Sequence, residues 1–178
     1  MLPWLEPRTP AGRRSSLAAA WSPLSYEGVA RDLVHALKFA GAPGVATAMA
    51  RQLCDALPPR AFPRGATLVP VPADRWRRRR RGFDHAAVLA KALSEQTGLP
   101  VGQPLARRSA ERRGQRGLGR SARLAGRGIA VEALSAAPRE CVLVDDVRTT
   151  GATAEACARV LRRNGASSVV FVAYCRVL

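Results

Sequence analysis

Cys141 to Val144 is a run of four apolar residues with polar neighbours on both sides, and it predicts a buried parallel strand carrying Asp145 and Asp146 at its carboxyl end. Beyond it, Ala154, Cys157, Ala158 and Leu161 fall at i, i+3, i+4 and i+7, the spacing of an amphipathic helix, which Gly165 closes. Ser167 to Tyr174 is a second run of strand formers, so the segment reads as the strand, loop, helix, strand unit of a parallel sheet. Upstream, Ala30, Leu33, Val34 and Leu37 mark one helix, and Val45, Met49, Leu53 and Ala56 mark another behind Pro43, which suits a first turn. Thr67 to Val71 is a short strand run broken by Pro70 and Pro72. Ala86, Leu89, Ala90 and Leu93 predict a third helix, with Asp84 as its N-cap and its end near Gly98. Residues 1–25, with Pro3, Pro7, Pro10 and Pro23, read as a loose extension that Trp4, Leu5 or Trp21 could anchor. The expectation is α/β: one domain over 26–178, with a central mostly parallel sheet flanked by helices.

Composition narrows this picture. A chain of 178 residues that is 47% hydrophobic can build one core. No run approaches the 18 apolar residues of a membrane span, and Arg8, Arg13 and Arg14 are not followed by a long apolar stretch, so neither a membrane partner nor a signal peptide is expected. Cytoplasm is the default compartment. Cys54, Cys141, Cys157 and Cys175 form no C-x-x-C pair and stand in or near apolar runs, which predicts buried reduced thiols and no zinc.

The loop after the two carboxylates carries the chemistry. Thr149, Thr150, Gly151 and Thr153 bring hydroxyls and free N–H groups to a helix N-terminus, where an anion such as a phosphate is favoured. A phosphate would repel Asp145 and Asp146, so they suit vicinal hydroxyls or a hard cation. A ribose 5-phosphate meets both demands.

The whole stretch, CVLVDDVRTTGAT, resembles the 13-residue phosphoribosyl pyrophosphate motif of type I phosphoribosyltransferases, without a gap. KFAG (38–41), then the Pro-Val-Pro of 70–72, then RGF (81–83), then Gln115, Leu118 and Arg123 ahead of that motif, is an order similar to the ComF (competence protein F) family. The similarity spans about Tyr26 to Leu178. Family members usually carry Asn-Gln where this chain has Asp84 and His85, and Asn where it has Gly126. Many begin with a cysteine-rich zinc ribbon, whereas Met1 to Ser25 contains no cysteine.

The resemblance implies a type I phosphoribosyltransferase-like domain that binds phosphoribosyl pyrophosphate with Mg²⁺ and transfers the phosphoribosyl group to an acceptor the sequence does not name. Asp145 and Asp146 would hold the ribose hydroxyls and stabilise positive charge at C1. Arg148, Thr149, Thr150, Gly151, Ala152 and Thr153 would grip the 5-phosphate, and Val71, Pro72, Arg75 and Arg81 would receive pyrophosphate. The Mg²⁺ would ride on the substrate, with no direct protein ligand.

A formal charge of +16 exceeds what a small anion site needs. The run Arg75, Trp76, Arg77, Arg78, Arg79, Arg80, Arg81, together with Arg116, Arg120 and Arg123, suggests single-stranded DNA, with Trp76 placed to stack on an unpaired base. The alternative is a solvated face in a chain whose only lysines are Lys38 and Lys91. The arginine- and glycine-rich stretch 107–128 reads either as a loop closing over the sugar or as a basic insertion without a fold. Three functions follow: a phosphoribosyl-transferring enzyme, a nucleic-acid-binding protein of DNA uptake or processing, and a non-catalytic nucleotide sensor. His35 reads as a surface residue, while His85 stands close in sequence to the expected pyrophosphate loop.

Overall fold

A computed structural model describes residues 15–40, 43–73, 82–107 and 130–177. The chain runs β1 (Ala19–Trp21), β2 (Leu24–Ser25), α1 (Gly28–Ala40), α2 (Pro43–Ala56), a 3₁₀ turn (Pro59–Ala61) and β3 (Thr67–Pro70). It continues with α3 (His85–Thr97), β4 (Leu105–Arg107), β5 (Val131–Ala133), β6 (Glu140–Arg148), α4 (Ala152–Arg163) and β7 (Ser168–Arg176).

The valine-rich runs pair at the centre. β6 and β7 lie parallel in register from Glu140 opposite Ser168 to Arg148 opposite Arg176. β3 adds to the free edge of β6, with Thr67 opposite Cys141, and β1 and β2 share the other edge of β7. The order is β1-β7-β6-β3, with every pairing parallel, while β4 and β5 form a separate antiparallel ribbon. This is the α/β architecture expected, a parallel sheet covered on both faces. On one face α1, α2 and α3 bury Val34, Leu37, Met49, Leu53, Leu89 and Leu93 against Val142, Val144, Val170 and Val172. On the other, Ala154, Cys157, Ala158 and Leu161 of α4 pack on Leu143, Val169 and Phe171, joined by Leu17 and Ala20.

Local chemistry sets the ends of these elements. Asp84 caps α3 by accepting hydrogen bonds from the N–H groups of Ala86 (3.1 Å) and Ala87 (3.4 Å), and Gly98, at φ +71°, closes it with its N–H on the Ser94 carbonyl.

Two expectations change. Residues 19–25 are not part of a loose extension but edge strands of the sheet, and the N–H of Tyr26 continues the pairing to the Arg176 carbonyl. Short runs with two prolines nearby carry little periodic signal, and it is the open edge of β7 that makes them strands. The strand behind Cys141 to Val144 also runs on through both carboxylates to Arg148, because β7 continues alongside it. Arg107 belongs to β4, opposite Val131, rather than to the stretch that follows. Among the described residues no helix is long and apolar enough to cross a membrane.

Candidate functional site

Asp145 and Asp146 are consecutive on β6, so their side chains leave on opposite faces of the sheet. Asp146 turns toward the face covered by α1 and α3 and is buried, 3% exposed. Lys38, in the last turn of α1, brings its Nζ to 2.8 Å from Asp146 Oδ2, and His85, the first residue of α3, stands with Nε2 3.6 Å from Oδ1. Asp145 curls back, its Oδ1 accepting the N–H of Asp146 at 2.9 Å. Burial holds the Asp145 carboxyl well above the usual carboxylate range, and the negative charge of Asp146 adds to this; the Asp146 N–H and the Lys38 ammonium act the other way. Asp145 therefore gains most from a ligand that brings a positive charge or donates hydrogen bonds.

Both carboxylates open into a cleft of about 350 Å³ whose walls include Lys38, His85, Thr149, Thr153, Val71, Pro72, Arg107 and Tyr26. The fold thus brings the acid pair, two threonines of the expected phosphate loop and two residues of the expected pyrophosphate loop into one space. Thr149 and Thr150 are exposed, and the Thr150 Oγ1 accepts the N–H of Ala152 at 3.3 Å. Gly151, at φ +75°, turns the chain into α4, a conformation that other residues adopt only with strain. Arg148 lies beneath this turn: a Cβ on Gly151 would sit 3.5 Å from its Nε. Burial first, and then the charge of Arg176 on the neighbouring strand, lowers the Arg148 pKa.

The loop after β3 is less open than its sequence suggests. The Val71 N–H is spent on the Val144 carbonyl, Pro72 has none, and the Ala73 N–H donates to Asp84 Oδ2 at 3.2 Å. Asp84 therefore caps α3 and ties down this loop at once, a task that asks for an acceptor. Donors to an anion on this side come from side chains, and Arg107, half-buried in the cleft wall, is the described cation placed for it. Arg75, Arg81, Trp76, Arg77, Arg78, Arg79, Arg80, Arg116, Arg120 and Arg123 lie outside the described residues.

The donor atoms of His85, Asp145 and Asp146 all fall within 4.8 Å of one another, and two of the three are the carboxylate oxygens that Mg²⁺ prefers. Lys38 already neutralises Asp146, so the Asp145 side is where a further cation is best received. Sequence reasoning missed Lys38 and Arg107 as site residues. KFAG was visible as a motif, but nothing local says that the end of α1 meets the end of β6. His35, by contrast, is exposed beside Phe39. Cys141, Cys157 and Cys175 are buried free thiols, pushed up by burial to about 11, 12 and 12, while Cys54 is half-buried.

Comparison with known proteins bears on what this site belongs to. The DNA utilization protein YhgH of Salmonella typhi is 33% identical over 192 residues, an alignment covering 99% of this chain and 82% of that protein. The chain belongs to the DNA utilization protein YhgH family. The YhgH protein of Escherichia coli (strain K12) is 32% identical over 190 residues, with the same shares covered. No family model matches the chain. Among solved structures, the glutamine phosphoribosylpyrophosphate amidotransferase from B. subtilis complexed with ADP and GMP aligns with a TM-score of 0.48 at 20% identity, over 72% of this chain and 26% of that one. The allosteric regulatory enzyme of purine biosynthesis aligns with a TM-score of 0.47 at 19% identity, over 72% and 25%. The chain thus spans about a quarter of each of those longer chains.

Proposed function

We propose that this chain is a ComF-like phosphoribosyltransferase-domain protein that binds phosphoribosyl pyrophosphate and transfers its phosphoribosyl group to an acceptor, in a role linked to DNA uptake or processing. The observation that carries this reading is the single cleft in which Asp145, Asp146, Thr149 and Thr153 stand together. The 5-phosphate takes the hydroxyls of Thr149 and Thr153 and the N–H groups that open α4, where the helix dipole favours its charge. Asp145 accepts a ribose hydroxyl, and its ionised form stabilises positive charge at C1 as pyrophosphate departs. Arg107 meets the departing pyrophosphate, whose charge grows at that moment, so the contact is stronger in the transition state than in the bound substrate. Mg²⁺ would neutralise the pyrophosphate oxygens from the Asp145 side. The YhgH relatives, named for DNA utilization, support the wider role.

Calorimetric titration with phosphoribosyl pyrophosphate and Mg²⁺ tests this. Saturable binding is expected in the unmutated protein and none in the Asp145→Asn, Asp146→Asn double variant; a folded protein that gives no heat with the ligand would end the proposal.

A second reading rests on Lys38. Its ion pair occupies one of the two carboxylates that catalysis would use, which suits a non-catalytic protein that senses a nucleotide or clamps a 5-phosphate end. That reading predicts binding without release of pyrophosphate for any acceptor supplied.

A further inference from the structure

Next to the acid-pair cleft lies a second, larger one of about 670 Å³, and the two share Pro72, Ala73 and Arg107. Its walls are mostly apolar: Pro70 and Pro72 from the end of β3, Phe83 ahead of α3, and Leu134 beyond β5, which is 64% exposed. The Gln103 amide and the Arg107 guanidinium add hydrogen-bonding edges. Flat apolar faces with a few polar groups at the margin suit a planar heteroaromatic ring, and the volume falls among those of small-ligand sites.

The distribution of charge says what kind of molecule carries that ring. Residues 74–81 and 108–129 hold thirteen arginines against Asp74 and Glu111, a net +11 of the formal +16. Ala73 and Gly82, which bracket the first segment, both line this cleft; Arg107, which precedes the second, lines it too and pairs with Val131, which follows it closely. The chain enters and leaves both arginine-rich segments here. A small acceptor would not call for such a charge, whereas a strand of phosphates would.

We propose that this cleft receives one unpaired nucleobase of a single-stranded polynucleotide. A base inside a closed duplex has both faces stacked and cannot enter a concave site, whereas an unpaired one can turn in and lie against Phe83 and Leu134. The shared wall sets that base beside the acid pair, and the functional meaning of this adjacency rests on the phosphoribosyl reading.

The test compares a fluorescein-labelled oligothymidylate with an abasic strand of the same length by anisotropy. Stacking one base changes affinity by roughly 5- to 150-fold, so the unmutated protein should hold the base-bearing strand about tenfold tighter or more. Phe83→Ala and Leu134→Ser should remove that preference while leaving abasic affinity and its salt dependence unchanged. Leu134 is exposed, so its variant keeps the comparison available even if Phe83→Ala fails to fold. Equal affinity for the two strands in the unmutated protein, a preference that survives in a folded cleft variant, or a duplex that competes as well as the single strand would each overturn the proposal. Titration with phosphoribosyl pyrophosphate in parallel separates the two readings: a protein indifferent to that ligand but retaining a cleft-dependent base preference sinks the phosphoribosyl reading alone, and the opposite result sinks this one alone.

Discussion

Lys38→Met removes an ammonium group 2.8 Å from a carboxylate that is only 3% exposed, while keeping an unbranched side chain of similar length. Breaking a buried pair from one side costs about 3–5 kcal/mol, because the remaining charge stays desolvated and unpaired. Lys38 keeps 22% of its side chain in solvent and His85 Nε2 remains 3.6 Å from the other oxygen, so the low end applies, about 3 kcal/mol. For a domain of this length each kcal/mol moves the melting temperature by about 2–4 °C, which gives a drop of about 6–12 °C. Asp146→Asn in the same background removes the stranded charge and should restore part of the loss. The two changes are therefore expected to be less than additive, with a coupling of about 1–3 kcal/mol. Urea unfolding followed by circular dichroism, with an unchanged slope, measures all four corners of the cycle. Costs that sum within about 0.5 kcal/mol would show that the pair is not coupled and would refute the reasoning.

Asp145→Asn should stabilise the empty protein at neutral pH. A carboxyl whose folded-state pKa is raised weakens the fold as pH climbs above its ordinary value of 3.8, so the gain should vanish below that pH, and the same variant should lose ligand affinity; melting curves across pH and calorimetry check both. Glu155 accepts the Ser15 hydroxyl at 2.7 Å and the Ser16 N–H at 2.9 Å, and despite the opposing effect of burial these bonds lower its pKa from 4.5. Its contribution is present above that value and lost as pH falls through the lowered one, so Glu155→Gln should loosen residues 15–18 at neutral pH, seen as faster amide exchange at Ser16, with little difference between the two proteins in strong acid. Gly151→Ala places a side chain at φ +75° and should cost about 1–2 kcal/mol in chemical denaturation while weakening phosphate binding. Cys141, Cys157 and Cys175 should resist alkylation in the folded protein at pH 8, since burial keeps them protonated, and should react once urea unfolds the chain.

The sequence by itself determined whatever depends on neighbours along the chain. The period of Ala154, Cys157, Ala158 and Leu161 dictates a one-sided helix, Asp84 caps α3 because an acceptor is needed two and three residues before its free N–H groups, and the apolar runs of β6 and β7 demand burial on both faces. The motif from Cys141 to Thr153 likewise announced its anion loop, since a helix N-terminus and its hydroxyls are local. The tertiary structure alone decided what depends on distance across the fold. Residues 19–25 became strands because β7 had an open edge to satisfy, not because their own pattern required it. Lys38 became part of the site because α1 packs on the face toward which Asp146 points, more than a hundred residues later in the chain. The two carboxylates, identical as letters, became unlike for the same reason: alternation along a strand sends one to a lysine and leaves the other against its neighbour's charge.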